Sequence, residues 1–401
     1  MTAGDPNFPV NLAITASRRK KEAGGGGTGS DEEDAWQDVA GFGIAGRTWE
    51  AAYLLRQYLT PPSSTSAPPI FDPPCPLYPP TVSAPIPSSN ARLPAPSSAP
   101  RPPRTILELG SGSGFLSLSL APHLAPTDTL VLTDLDNVCP LLAKNLETAR
   151  RRWAKKGVFQ SPHPPSHDGK PAPSTALEPT VLVRPLPWGS TSALAALRAA
   201  TLGYPDIILA SDLIYFEFLY APLLRTLIGL TEPRPSGDVS EGEGQGGETG
   251  PIVLFSYKIR SLVKEQPFWE AFGRWFRFEA VQLGTPLPPP SPPSPPSSPP
   301  IPSPTSSAPS APSKLLWSRF GAATPSSLTN PNAAPGETDE LYVFLCRRWP
   351  KTLGVGQAVL AEGEDGVRDE DLLLGRGKAR GFEEGAGQFE EMLLLGQEWD
   401  W

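Results

Sequence analysis

Three groups of residues have the types and spacing to do chemistry. The first is Glu108-x-Gly110-x-Gly112-x-Gly114, which ends the apolar run beginning at Thr105 and leads into a second apolar segment from Phe115. Glycines in a strand-to-helix turn remove side chains where backbone must pass close to a ligand. The helix that follows then offers free N–H groups and the positive end of its dipole. Three glycines in such a turn can also serve only a tight bend. The second group is Asp134, which closes the run Thr129–Asp134 twenty residues after Gly114. A doubly wound nucleotide-binding fold places an acid there on ribose hydroxyls, and a plain strand-end carboxylate is the alternative. The third is Asp212-Leu-Ile-Tyr215, just past the run Asp206–Ser211, at the carboxyl edge where open α/β sheets hold their ligands. An ordinary strand-to-helix loop is the alternative there.

The glycine spacing discriminates between cofactors. A dinucleotide fingerprint is Gly-x-Gly-x-x-Gly, whereas here the third glycine comes one position early and an acid, Glu108, stands two residues before the first. A carboxylate suits a cofactor that carries an amino group and repels a pyrophosphate, which favours S-adenosylmethionine over NAD. None of the three histidines falls within these groups, so none is assigned a catalytic role, and the three cysteines have neither pairing nor metal-ligand spacing, so no metal is expected.

The elements that must position these residues alternate between strand-like and helix-like patterns. Strand patterns occur at Thr105–Leu109, Thr129–Asp134, Thr180–Pro185, Asp206–Ser211, Ile252–Tyr257, Phe278–Leu283 and Leu341–Cys346. Helical patterns lie at 115–124, 138–156, 219–230 and 262–276, and a further one, 48–59, has Thr48 as its expected N-cap. Asp136 is the expected N-cap of the helix over 138–156. This rhythm predicts an α/β fold, a Rossmann-like doubly wound seven-stranded sheet that is mostly parallel and closes with a C-terminal antiparallel hairpin.

Composition limits how much of the chain packs. Its 401 residues include 53 prolines, about 13 % against roughly 5 % in average proteins. Roughly 180 residues keep regular apolar patterning, enough for one domain with a core. The expected organisation is a disordered tail over 1–34 and a single domain over 35–349. Disordered Pro/Ser/Gly-rich insertions are expected at about 61–103, 159–179, 232–250 and 284–337, and an acidic segment of unassigned structure over 350–401. Asp72-Pro-Pro-Cys75 reads as part of a linker. A net charge of −8 argues against a dedicated nucleic-acid binder, and the basic run Arg150–Lys156 reads as cations favoured at a helix C-terminus. No run approaches the roughly 18 apolar residues that span a membrane. Cysteine usage and the absence of an N-terminal apolar leader lead us to expect a cytoplasmic or nuclear setting.

Six segments, in order, resemble the seven-strand lysine methyltransferases that modify translation factors and chaperones. They are Gly46-Arg-Thr-Trp-Glu-Ala-Ala52, Leu107–Gly114, Leu132-Thr-Asp-Leu135, Leu186-Pro-Trp-Gly189, Ala210-Ser-Asp-Leu-Ile-Tyr215 and Ser256-Tyr-Lys-Ile-Arg260. Each is weak alone, and the ordered set covers the patterned residues and none of the insertions. The resemblance implies that Gly110, Ser111, Gly112 and Gly114 cradle S-adenosylmethionine, that Glu108 reaches its amino group and that Asp134 holds the ribose. It implies an adenine-side contact from Trp188, a cofactor contact from Trp49, and passage of Ala210 and Ser211 beside the cofactor. Core packing is the competing reading for both tryptophans. Asp212 and Tyr215 would border the target lysine, the carboxylate attracting the ammonium and the phenol fixing the amine.

The expected activity is methyl transfer to a lysine side chain of a protein, with a translation elongation factor or a chaperone/ATPase as substrate. A small-molecule or nucleic-acid N-methyltransferase on the same fold is the alternative, and so is an inactive scaffold. In the latter, Pro-rich tracts such as Pro286 to Pro304 would bind SH3- or WW-type partners through polyproline II.

Overall fold

A computed structural model describes residues 14–17, 36–61, 69–78, 102–159, 178–200, 204–233, 250–286, 315–322, 341–360 and 366–395. Most of the expected tail and insertion residues, including 287–304 of the Pro-rich tract, lie outside these.

Among the described residues the strands are β1 (Ile70–Asp72), β2 (Thr105–Leu109), β3 (Thr129–Asp134), β4 (Thr180–Pro185), β5 (Ile207–Ser211), β6 (Ile252–Lys258), β7 (Phe276–Ala280), β8 (Gln282–Pro286), β9 (Leu315–Arg319) and β10 (Leu341–Arg348). Seven form one sheet in the order β4-β3-β2-β5-β6-β10-β7. Strands β4, β3, β2, β5 and β6 are mutually parallel, and β10 runs antiparallel between β6 and β7. The strand order reverses between β2 and β5, which opens a crevice at their carboxyl ends. The expected doubly wound, mostly parallel seven-stranded sheet with a C-terminal antiparallel pair, β7 with β10, is therefore what forms.

The central strands carry continuous apolar runs because both faces are covered. On one face Leu107, Leu109, Ile208 and Ala210 pack under the helices Tyr220–Leu230 and Leu262–Gly273. On the other, Ile106, Leu130, Leu132 and Leu209 pack under Glu50–Leu59, Phe115–Leu120 and Cys139–Lys156. Pro267 sits inside Leu262–Gly273 without ending it. A helix over Thr191–Ala200, which the sequence reading passed over, covers β4 and packs on Tyr220–Leu230.

Several expectations about the closing strands and the insertions need correction. The run read as one strand over 278–283 divides at Val281, where β7 stays in the main sheet and β8 leaves for a second sheet of order β1-β8-β9. Val281 joins them by donating its N–H to Val343 and accepting that of Phe320. Strands β1 and β9 come from segments read as insertions, and they fold because Phe71 and Phe320 pack edge-on to each other at 5.0 Å, with Phe71 also against Tyr58. Asp72-Pro-Pro-Cys75 is accordingly no linker, since Asp72 ends β1 and Cys75 is buried.

The acidic segment also has structure over its described residues. Phe389, in the helix Gln388–Leu395, stacks on Trp269 at 4.6 Å, and Arg225 donates to the Val367 carbonyl and to Asp369. Its entry is fixed by a buried ion pair. Arg348 reaches Glu232 at 3.0 Å and the Ile228 carbonyl at 3.0 Å, while Glu232 accepts the N–H groups of Gly354 and Gly356. Glu232 thus belongs to the core and not to an insertion. Removing one partner of such a pair strands a buried charge, so Arg348→Met is expected to cost about 3–5 kcal/mol. Chemical denaturation measures that loss, and limited proteolysis should show 350–360 cut first.

Candidate active site

The glycine turn leaves β2 with Gly110, Gly112 and Gly114 all at positive φ, 57°, 53° and 78°. Side chains are also excluded by space. A Cβ on Gly110 would stand 2.8 Å from Leu213 and 3.0 Å from Trp188, and one on Gly112 would stand 2.8 Å from the Ala45 carbonyl oxygen. At Gly114 the missing side chain likewise makes room for protein atoms, here Leu118, Leu132 and Leu142, the close helix–sheet packing of the third turn glycine.

Asp134 closes β3 beside this turn. Its Oδ2 accepts the Gly112 N–H at 2.8 Å and its Oδ1 the Leu135 N–H at 2.8 Å. Each oxygen keeps a free lone pair for a further donor. Ser111 ties the turn to β3 as well, donating its N–H to the Thr133 carbonyl and accepting the Thr133 N–H on its hydroxyl. Glu108 lies beneath, 3 % exposed, where it accepts the Ser117 N–H at 3.3 Å from the first turn of Phe115–Leu120. Its carboxylate braces the loop from below.

Both carboxyls are displaced upward. Burial pushes Glu108 to about 7, with the charge of Asp134 adding to it. Burial pushes Asp134 to about 6, against the pull of the Gly112 and Leu135 N–H groups. A folded-state pKa above the unfolded one means that the native protein holds more protons across the interval. Stability from Glu108 is therefore full below its ordinary 4.5 and is lost as pH rises through about 7. The expected loss is about 3 kcal/mol over that window. Glu108→Gln should flatten that part of the pH dependence of the melting temperature, which thermal denaturation from acid to neutral pH would show.

The N-terminal segment folds over the turn. Asn145 donates to the carbonyls of Trp36 and Ser113, at 3.0 and 2.8 Å. The Thr48 hydroxyl meets that of Ser113 at 3.1 Å. Thr48 therefore does not cap its helix: Trp49 occupies the N-cap of Glu50–Leu59, and the side chain of Thr48 is spent on this clasp. Likewise Asp136 is exposed, and Val138 stands at the N-cap of Cys139–Lys156. The clasp residues Thr48, Ser113 and Asn145 were missed because their pairing joins distant parts of the chain.

At the carboxyl end of β5, Ala210 is fully buried and Ser211 has a buried hydroxyl with no partner. Asp212 follows at φ 59°, the one non-glycine residue with positive φ among those described. Its N–H donates to the Ser256 carbonyl, and both its oxygens are held by Arg260, at 2.7 and 2.6 Å. The expected free carboxylate for an incoming ammonium is therefore already forked by a guanidinium. The Arg260 guanidinium also lies 5.5 Å from the ring of Trp49, whose other cationic neighbour is Arg47 at 4.4 Å. The Trp49 indole N–H donates to the Ile44 carbonyl. Tyr215 turns its ring toward Trp188, with centroids 6.4 Å apart. Burial, with Asp134 and Asp212 adding negative charge, raises its hydroxyl above the ordinary range, so it stays protonated.

Trp49, Gly110, Gly112, Asp134, Trp188, Asp212 and Tyr215 thus meet at one rim of the sheet. Beside them the aromatic pair Phe216 and Phe218 stacks at 5.4 Å, with Phe218 65 % exposed. The glycine cradle, the acceptor capacity left on Asp134 and the orphaned Ser211 hydroxyl fit a nucleoside cofactor carrying several donors and acceptors.

Residues 29–161 match the model of a family described as lysine methyltransferase. The matched stretch contains Trp49, the glycine turn and Asp134, and ends before Trp188 and the Asp212–Tyr215 tetrad. It supports a class I protein-lysine methyltransferase family and implies S-adenosylmethionine as methyl donor. No curated protein sequence matches the chain. Among solved structures, the CurJ carbon methyltransferase overlaps 43 % of this chain and 34 % of its own, at 14 % identity and a TM-score of 0.23. An O-methyltransferase family 2 protein from Planctomyces limnophilus overlaps 40 % and 33 %, at 15 % and 0.22. A precorrin-6y C5,15-methyltransferase from Geobacter metallireducens overlaps 61 % and 78 %, at 10 % and 0.24. The chain spans about a third of the first two, and at these scores the overlaps bear no weight on its chemistry.

Proposed function

We propose that this chain, part of which matches the lysine methyltransferase family, is an S-adenosylmethionine-dependent protein-lysine N-methyltransferase. The observation that carries the reading is the convergence of the glycine turn, Asp134 and the Asp212–Tyr215 tetrad at the carboxyl edge where strand order reverses. An elongation factor or a chaperone/ATPase is the substrate class that the sequence resemblance implies. The exposed Phe218, stacked on Phe216 beside Tyr215, favours a macromolecular partner, because apolar side chains at a rim are covered when a protein docks.

The turn at Gly110 and Gly112 would hold the cofactor, with Asp134 accepting from the ribose hydroxyls and Trp188 on the adenine side. Bound there, S-adenosylmethionine supplies an electrophilic methyl on a sulfonium. The chain's own task is to bring an unprotonated amine into line and to exclude water. Losing the lysine proton from a pKa of about 10.4 costs roughly 4 kcal/mol at neutral pH. Desolvation among Trp49, Trp188 and Tyr215 lowers that cost. The Tyr215 hydroxyl, held protonated, orients the amine by hydrogen bonding and does not act as its base. With the amine held in line by Tyr215 and water excluded by Trp49 and Trp188, its lone pair would face the methyl that the cofactor supplies, and the proton shed by the amine would pass to solvent.

Incubation of the purified chain with methyl-tritiated cofactor and a lysate separated into protein, RNA and small molecules tests the reading. Label is expected in protein. Label confined to RNA or small molecules would overturn it in favour of the other methyltransferase class, and absence of cofactor binding would favour a scaffold.

A further inference from the structure

The fork of Arg260 on Asp212 carries a consequence for the amine. A bare carboxylate within a few ångströms of an amine stabilises the ammonium, which has no lone pair to give. Asp212 is buried, its side chain 1 % exposed, and a guanidinium closes both of its oxygens, so the pair has no net charge. The other charges facing Arg260 are accounted for. Glu50, from the N-terminal helix, is paired with Arg47 at 2.7 Å. Glu265, from the helix after β6, accepts the Tyr257 hydroxyl and the Arg260 backbone N–H. Asp134 stands across the rim on the side of Tyr215 and is held by two backbone N–H groups.

Geometry adds to charge. A left-handed φ at a non-glycine residue is unfavourable and persists only where its surroundings hold it. A two-pronged guanidinium–carboxylate contact resists rotation as a single contact does not. Arg260 thereby fixes the turn that presents Tyr215, and the Trp49 ring packs along its guanidinium.

We infer that Arg260 is a positioning residue for methyl transfer: by forking onto Asp212 it presents the target amine with a neutral pair and a tyrosine hydroxyl in place of a bare carboxylate. This inference rests on the proposed function and deepens it. The amine enters unprotonated, and Asp212 serves as the anchor of Arg260 and of the turn.

The test is the pH dependence of initial rates with tritiated cofactor, using as substrate the protein band that wild-type enzyme labels in a lysate. Arg260→Met should move the rising limb toward alkaline pH by about one unit, a loss of roughly tenfold near neutrality that closes at high pH. Arg260→Lys, which keeps a cation, should move it less. The double variant Asp212→Asn/Arg260→Met has no carboxylate to stabilise the ammonium, and its limb should return to the wild-type position at whatever absolute rate. Cofactor affinity by calorimetry should stay within a few fold throughout. A uniform loss at every pH in Arg260→Met, or a limb still displaced in the double variant, would overturn the inference while wild-type labelling of protein left the proposed function standing. Should Arg260→Met fail to fold, the lysine and double variants still decide. Absence of wild-type protein labelling would overturn the proposed function, and this inference with it.

Discussion

Replacing Asp134 with alanine is expected to weaken S-adenosylmethionine binding about a hundredfold. The carboxylate is held by the N–H groups of Gly112 and Leu135, which aim its remaining lone pairs across the crevice. Two hydrogen bonds to an ionised acceptor contribute about 3 kcal/mol together, and each 1.4 kcal/mol is a factor of ten. The fold should survive, because burial already makes this carboxylate costly, raising its pKa to about 6. Calorimetric titration with the cofactor, next to a melting curve, separates the two effects. A variant that melts like the wild type and binds the cofactor as tightly would show that Asp134 is only a turn carboxylate.

Asp212→Ala is expected to reduce turnover about a thousandfold while cofactor affinity stays within a few fold. Two losses combine. Alanine at φ 59° has no side chain to hold the left-handed turn, so the placement of Tyr215 loosens. Misplacement of that kind alone costs about a hundredfold. Arg260 also loses its anchor, and with it the placement of its guanidinium along the Trp49 ring. Asp212→Asn, which tolerates the left-handed conformation and keeps one hydrogen bond, should lose less. Single-turnover rates and cofactor titrations on the same preparations make the comparison. Joint loss of binding and turnover would place this residue on the cofactor side of the rim.

Where the sequence was legible, local chemistry and tertiary structure agreed. The runs at β2, β3, β5 and β6 are mainly apolar because parallel strands are covered on both faces, and that signal survives any loop length between them. The turn glycines were legible because positive φ and close approach both demand them at 110 and 112. The second sheet was not. Its strands Ile70–Asp72 and Leu315–Arg319 are short and lie in proline-rich surroundings whose composition outweighs three or five residues of pattern. The departure of β8 at Val281 was hidden because apolar residues continue through the bend. In the acidic segment, charge masked Leu372 and Phe389, which are buried against the helices of the main domain.

The site shows the same division. Asp134 could be placed from its distance to the glycines, since one strand–helix–strand unit fixes both. The pairing of Asp212 with Arg260 could not, because the partners are 48 residues apart and no spacing rule links their two segments. What looked from spacing like a carboxylate awaiting an ammonium is a carboxylate already neutralised, and its function shifts from attraction to placement.

The most direct test of protein-lysine methylation from this rim is mass spectrometry that locates the added methyl on proteins treated with the purified chain and isotopically labelled S-adenosylmethionine. The predicted result is label on the Nζ of a lysine with wild-type protein and none with Asp134→Ala. Label on another atom or another class of molecule, or equal lysine labelling by the Asp134→Ala variant, would contradict it.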